Sequence, residues 1–183
     1  GAAPQFRAGA VVRTSASVLP ARLSVGLRRR VIEAGVRLHE RSPVTRIRDG
    51  AIETGDARVT APHVVLAVNS ATAGFHGYRL AHAVASSHMV ITEPVPDVIE
   101  ELGWTGHEPI ADGRTLLHYL RTTDDGRIAF GWGGGRMGLG ARPLGRLEVD
   151  PDAVRTARDD LLRFFPQLRG RRVTHAWGGP IDV

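Results

Sequence analysis

Leucine or valine recurs every fourth position at Leu19, Leu23, Leu27 and Val31, the spacing of one face of an α-helix. Pro20 suits the first turn, where its missing N–H costs nothing, and Gly35 suits the position just past the last one. Residues 8–13 ahead of this helix read as a strand. Residues 36–40 and 44–48 read as two short strands separated by Pro43. Asp49-Gly50 is a tight-turn signal that returns the chain as a strand over residues 51–54, and a turn near Gly55-Asp56 leads to residues 58–60. Pro62 then opens a nearly continuous apolar run, residues 63–68, the pattern of a strand buried on both faces.

Beyond residue 70 the pattern changes. Small, polar and β-branched residues alternate over residues 81–93, which predicts one long strand or a bent pair. A short helix is expected around residues 98–102. Residues 116–121 and 127–132 flank Asp124-Asp125-Gly126 as the two arms of a β-hairpin. Residues 133–145 form a glycine-rich loop. Asp150 caps a helix with Pro151 in its first turn. That helix carries Val154, Ala157, Leu161 and Phe165 on one face, and Pro166 stops it. Residues 172–177 are the last strand. No repeat or low-complexity segment appears. The expected class is α+β (mixed α/β): an α/β part to about residue 80, then antiparallel strands with one long helix.

At 183 residues, 42% hydrophobic and 23% charged, the chain is long enough for a real core and too apolar for a disordered tail. Cysteine is absent, which removes disulfides, thiolate nucleophiles, zinc–thiolate sites and iron–sulfur clusters together. No apolar run approaches the ~18 residues of a membrane span, and no charged n-region precedes an apolar h-region. A cytoplasmic setting is expected. The net charge of +5 comes from 24 basic residues that are all arginine. A nucleic-acid surface ordinarily uses lysine as well, and these arginines are spread along the whole chain. The excess therefore reads as a coding bias, and an arginine-driven nucleic-acid binder is kept only as an alternative.

Among the motifs, residues 133–138 (GGGRMG) formally match G-x-G-x-x-G after a strand. The residues that follow, LGARPLG, cannot open the helix whose N-terminus would hold a pyrophosphate, so the match reads as a loop. None of the eight histidines forms H-E-x-x-H or a helical i, i+4 pair, which gives no metal site. No G-x-S-x-G elbow is present. Three phrases carry more. Residues 64–70 (VVLAVNS) read either as a core strand leading into a helix or as the ligand-facing carboxyl end of an α/β strand. In residues 118–123 (HYLRTT), alternation puts Tyr119 and Arg121 on one face, opposite His118, Leu120 and Thr122. That pair suits an anionic or polar ligand, or an exposed sheet face. Trp177-Gly178-Gly179-Pro180 sets a large aromatic beside bare backbone, either as a turn or as a place where a flat ring approaches closely.

Taken in order and spacing, residues 38–47 (LHERSPVTRI) with the DG turn and residues 64–69, then residues 118–135 (HYLRTTDDGRIAFGWGGG) and residues 175–183 (HAWGGPIDV), resemble the FAD-dependent oxidoreductases of the D-amino-acid oxidase superfamily. This group includes glycine oxidase and sarcosine oxidase, and the second and third phrases look closest to its gamma-glutamylputrescine oxidase-like branch. The resemblance implies FAD as cofactor and oxidation of a C–N bond of a small amine or amino acid to an imine. It places Val44 at the adenine end of FAD, Ala67 and Asn69 near the pyrophosphate and ribose, and Trp177 with Gly178 near the isoalloxazine. Tyr119 and Arg121 would face the substrate. Such chemistry needs binding and orientation by the protein more than a dedicated acid or base, and none is singled out.

The resemblance divides the chain into a partial FAD-binding domain (residues 1–80), an antiparallel substrate domain (81–175) and the start of the return to the FAD domain (176–183). The family's amino-terminal G-x-G-x-x-G unit and its carboxyl-terminal glycine-rich segment lie outside these residues. The chain is thus expected to be an internal segment that neither holds FAD strongly nor turns over alone. Amino-acid oxidases of the family often carry an arginine in the segment matching residues 177–182, where it pairs with the substrate carboxylate. Here that segment has Gly178, Gly179, Pro180 and Ile181, which favours an amine. The rival reading is a non-catalytic binding module using the same sheet surface.

Overall fold

The computed structural model describes residues 6–48, 50–78, 81, 83–138 and 149–182. They fall into two compact units, one of residues 12–67 and one of residues 1–11 with 68–183.

In the unit of residues 12–67, helix α1 (Pro20–Glu33) begins at its proline and ends before Gly35, whose φ of +85° is a conformation glycine adopts without strain. Its apolar stripe is the expected one, yet no residue of the helix is buried. Strands β1 (Val44–Arg48), β2 (Ala51–Thr54) and β3 (Arg58–Thr60) form an antiparallel sheet in that order. Arg28 Nε donates to Glu40 at 2.7 Å and Arg30 pairs with Glu33 at 2.8 Å, so the Arg28-Arg29-Arg30 cluster is a solvated helix end.

Three sequence expectations fail in the first 68 residues. Residues 8–13 and 36–40 are irregular, and so are residues 63–68, where Val65 is 85% exposed. A continuous apolar run becomes a doubly buried strand only when sheet neighbours flank it. The only sheet among the described residues of this unit is the three-stranded one, and it does not reach residues 63–68.

The other unit is built on a five-stranded antiparallel sheet of order β5-β6-β7-β4-β8. Its strands are β4 (Val84–Thr92), β5 (Ile110–Ala111), β6 (His118–Thr122), β7 (Ile128–Trp132) and β8 (Val173–Asp182). The helices are α2 (Pro96–Glu101) and α3 (Pro151–Phe164). The hairpin β6–β7 turns at Gly126, with φ of +75°, as the Asp-Asp-Gly sequence predicts. The final strand runs further than residue 177. It continues through Pro180 to Asp182, because β8 is an edge strand where a missing N–H breaks no ladder.

The pleat divides this sheet into two faces. Paired rows Leu120–Phe130–Val90–Ala176 and His118–Trp132–His88–Gly178 lie on the face covered by α3. Val90, Phe130, Leu120 and Ile128 pack there with Ala157, Leu161, Phe164 and Leu168. Phe164 meets the Phe130 ring edge-on at 5.3 Å and the His118 ring at 5.0 Å. Asp150 caps α3, its carboxylate accepting from the Asp152 amide at 2.9 Å.

His118, with a side chain 2% exposed, joins three segments. Its Nδ1 lies 2.8 Å from Asp112 Oδ2 and its Nε2 lies 3.0 Å from Asp160 Oδ2. Its backbone amide also donates to Asp112 Oδ1 at 2.9 Å. Burial works against the Asp112 charge, but the bonds from the His118 ring and amide hold its carboxyl below the usual carboxylate range. Outside the core, Arg114 pairs with Asp112 at 3.3 Å and Arg163 with Asp160 at 2.7 Å.

Removing a carboxylate from this chain leaves a buried imidazole nitrogen without its acceptor. Asp160→Ala is therefore expected to destabilise the protein by about 3–5 kcal/mol, read by urea denaturation. Arg163→Ala removes a cation whose own side chain is 71% exposed and should cost about 0–1 kcal/mol. Equal losses would show that His118 does not depend on Asp160.

Candidate functional site

The second face of the five-stranded sheet carries three of the sequence-derived ligand residues, Tyr119, Arg121 and Trp177, whereas Gly178 falls in the row of the α3 face. Strand pairing sets two rows across it. One is Tyr119–Gly131–Met89–Trp177, and the next is Arg121–Ala129–Ile91–His175. At ordinary strand spacing each row spans roughly 14 Å from β6 to β8. On β7 the rows carry only Gly131 and Ala129, and the Tyr119 ring covers Gly131. The rise on one side is Tyr119 and Arg121, and on the other Met89, then Trp177 and His175. The alternation buried–half-buried along β6 follows directly, with His118, Leu120 and Thr122 inside.

Tyr119 is held by two features of its neighbours. Its ring lies against Gly131, where an added Cβ would stand 2.1 Å from Cε2. Its hydroxyl lies 2.6 Å from Ser87 Oγ, which also approaches the Trp132 carbonyl at 3.4 Å. Gly131 is thus glycine because a tyrosine ring occupies the space above it. Ser87, Met89, Gly131 and His175 were not singled out from sequence. Alternation in residues 84–92 separates Ser87 and Met89 from the buried set, but only the register shows which residues stand beside Tyr119.

Trp177 is 43% exposed, and a Cβ at Gly179 would meet nothing within 4 Å. Bare, open backbone beside an exposed indole fits the approach of a flat ring. The short 3-10 turn Asn69–Gly74 packs against β8. Asn69 opens it at a φ of +50°, and its side-chain oxygen accepts from the Ser70 amide at 2.5 Å. Asn69, Trp177, Gly178, Tyr119 and Arg121 all belong to this unit. Val44, half-buried at the start of β1, and Ala67, exposed on irregular chain, belong to the unit of residues 12–67.

The glycine-rich stretch packs against β4. A Cβ at Gly135 would stand 2.3 Å from the Ser86 carbonyl oxygen. The Ser86 amide donates to the Arg136 carbonyl at 2.8 Å, and the Arg136 amide donates to Ser86 Oγ at 2.7 Å. These glycines allow a loop to lie on a strand, and residues 133–138 are not helical. Residues 139–145 of the expected loop lie outside the described residues. A shallow groove of about 330 Å³ between Arg158, Leu162 and residues 170–173 lies away from these rows. Its Arg171 and Arg172 are paired with Asp97 and Glu93.

Behind the site, His88 is fully buried on the α3 face. Its Nε2 accepts from the Asp150 amide at 3.3 Å, and its Nδ1 is buried with no hydrogen-bond partner among the described residues. Burial pushes the His88 ring below its usual titration range, against the pull of the Asp150 carboxylate. Asp150 is itself held low by its pairing with Arg136.

The whole chain, residues 1–183, matches the family described as DAO, FAD dependent oxidoreductase. The chain belongs to that family. As a DAO-family chain it is 29% identical over 170 residues to the gamma-glutamylputrescine oxidoreductase of Escherichia coli, and 26% identical over 173 residues to the OrdL protein of Haemophilus influenzae. These alignments cover 87% and 90% of the chain but only 37% of each relative, so the chain spans just over a third of their length. Solved structures share the fold. L-proline dehydrogenase of P. horikoshii aligns with a TM-score of 0.67 at 17% identity, covering 88% of this chain and 43% of that one. Glycine oxidase of Bacillus cereus gives 0.63 at 18%, covering 87% and 43%. The mixed helix and antiparallel-sheet fold is that of the family, and the family's cofactor is FAD. Among the described residues no helix is long and apolar enough to cross a membrane.

Two measurements probe this site. Gly131→Ala should cost about 1–3 kcal/mol by overpacking, and that cost should nearly vanish in a Tyr119→Ala background, as a double-mutant cycle by urea denaturation would show. An undiminished cost would mean that Tyr119 does not occupy the space above Gly131. The depressed His88 titration also has a sign. The unfolded chain takes up the His88 proton first, near its ordinary pKa of about 6.5, so stability is full above that pH and falls as pH drops below it. His88→Asn should flatten the stability–pH curve below about pH 6.5.

Proposed function

We propose that the protein oxidises a C–N bond of a small amine or amino acid to an imine, with the open face of the five-stranded sheet as its substrate surface. The observation that carries this reading is the row Tyr119–Gly131–Met89–Trp177. It sets a phenol, laid over Gly131 and hydrogen-bonded to Ser87, beside Met89 and an exposed indole. The support from relatives lies in the activities named for gamma-glutamylputrescine oxidoreductase and glycine oxidase.

In this reading, FAD when bound supplies the acceptor of the hydride that leaves the substrate carbon. Trp177 and Gly178 hold the ring end, Asn69 and Ala67 the pyrophosphate and ribose side, and Val44 the adenine end. Tyr119 and Arg121 bind and orient the substrate. Residues 1–80 then form part of the FAD-binding domain, residues 81–175 the substrate domain, and residues 176–183 the return to the FAD domain. A small-molecule substrate and a cytoplasmic location go with this assignment. The β8 segment opposite Ser86 to Ser87 carries Pro180 and Gly179 in place of a cation, which favours an amine over a simple amino acid.

The whole encoded protein, purified and supplied with FAD, is expected to show flavin absorption near ~450 nm that bleaches on anaerobic addition of a substrate amine. Trp177→Ala should weaken FAD binding about tenfold through lost ring contact. A protein that stays colourless after FAD is added would sink this reading and leave a non-catalytic binding module.

A further inference from the structure

We propose that a proton taken up by His88 opens the first turn of α3, and with it residues 136–138, which Asp150 ties to that turn, while the sheet stays folded. The opening lies on the covered face of the sheet and is independent of any flavin.

The direction of one hydrogen bond is fixed. A backbone N–H only donates, so His88 Nε2 accepts from the Asp150 amide, at 3.3 Å. The neutral ring then carries its hydrogen on Nδ1, which is buried with no partner among the described residues. A second proton can add only at Nε2. Imidazolium Nε2–H and the Asp150 N–H are both donors, so the bond is lost and a charge is left in a buried place. His88 is 0% exposed, and the ring reaches water only if the chain beside it moves.

Asp150 decides what moves. Its carboxylate accepts from the Asp152 amide at 2.9 Å and its carbonyl from the Val154 amide at 2.9 Å, so it starts α3 twice over. The same carboxylate pairs with Arg136. Arg136 bonds to Ser86 through its amide and carbonyl, and the Gly138 amide donates to the Val84 carbonyl. The other charges on this face are already engaged. Asp152 on α3 pairs with Arg136 at 3.5 Å and Arg155 at 3.1 Å. On β6, His118 stands between Asp112 and Asp160, which Arg114 and Arg163 pair from outside. β7 and β8 set Trp132 and Gly178 beside His88, neither of them titratable. Burial therefore holds the ring neutral against the pull of the Asp150 carboxylate. The rest of α3 stays anchored, because Leu161 and Phe164 pack in the core with Val90 and Phe130.

The test is amide hydrogen exchange of the whole encoded protein, from neutral pH down through the titration of the His88 ring, which NMR follows directly. After correction for the intrinsic pH dependence of exchange, protection of the Asp150, Asp152 and Arg136 amides should fall about tenfold or more as the ring takes up its proton. Amides along the β6–β7 pairing should keep theirs. His88→Gln offers the Asp150 amide an oxygen acceptor and does not titrate, so its protection should stay level over the same range. Four results would overturn the proposal: equal loss along β6–β7, undiminished protection at Asp150 with the ring protonated, a ring that stays neutral until the whole protein unfolds, or a fall that persists in His88→Gln. If His88→Gln does not fold, the contrast between Asp150 and the β6–β7 amides in the native protein decides it alone.

Discussion

One buried side chain organises the larger unit. His118 reaches a carboxylate with each ring nitrogen, Asp112 before β6 and Asp160 on α3. The two bonds fix which face of β6 is inside, since an imidazole severed from both partners in apolar surroundings would carry unpaired polar atoms. Because side chains alternate along a strand, turning His118 inward turns Tyr119 and Arg121 outward. The outward pair, Tyr119 and Arg121, is thus set from the opposite side of the sheet.

The same alternation runs through β7, β4 and β8, and gives the sheet two different characters. Toward α3 it presents Phe130, Val90 and Ile128 in a closed core. Away from α3 it presents Gly131, Ala129, Ser87, Met89 and Ile91, bordered by Tyr119 and Arg121 on β6 and by Trp177 and His175 on β8. A face of that composition buries little by itself, but it leaves room and a few directed polar atoms, which is what a small-molecule surface requires. Tyr119 lies flat over Gly131 because the glycine is there to receive it.

The edge position of β8 matters for the same face. An edge strand tolerates Pro180 and the preceding glycines, so bare backbone stands next to Trp177 at the border of the sheet. In a central strand Pro180, which has no N–H, would break the ladder. The placement allows a flat group to approach the backbone there, in keeping with membership of an FAD-dependent family. The apolar stripe of α1 shows the opposite case, since its Leu23 and Leu27 stay about half exposed in their own unit.

Much of this was legible from local chemistry. Pro20 and Gly35 bracket α1, Asp150 and Pro151 open α3, and Asp124-Asp125-Gly126 closes the β6–β7 hairpin, because each of these depends on a few adjacent dihedral angles and hydrogen bonds. The inward and outward sets of β6 were likewise readable, since period two is a property of one strand. The failures share a cause. Residues 63–68 have the composition of a buried strand and are irregular, because a strand needs neighbours and composition does not supply them. The partnerships of the site were beyond local reading for the same reason. Ser87 meets Tyr119, Gly131 receives its ring, and Asp160 meets His118 across 42 residues, all through strand register and helix docking. Sequence by itself determined the elements, the turns, which side of β6 faces out, and the family resemblance. Only the tertiary structure decided which residues stand beside one another, because register and packing are set by many weak long-range contacts at once.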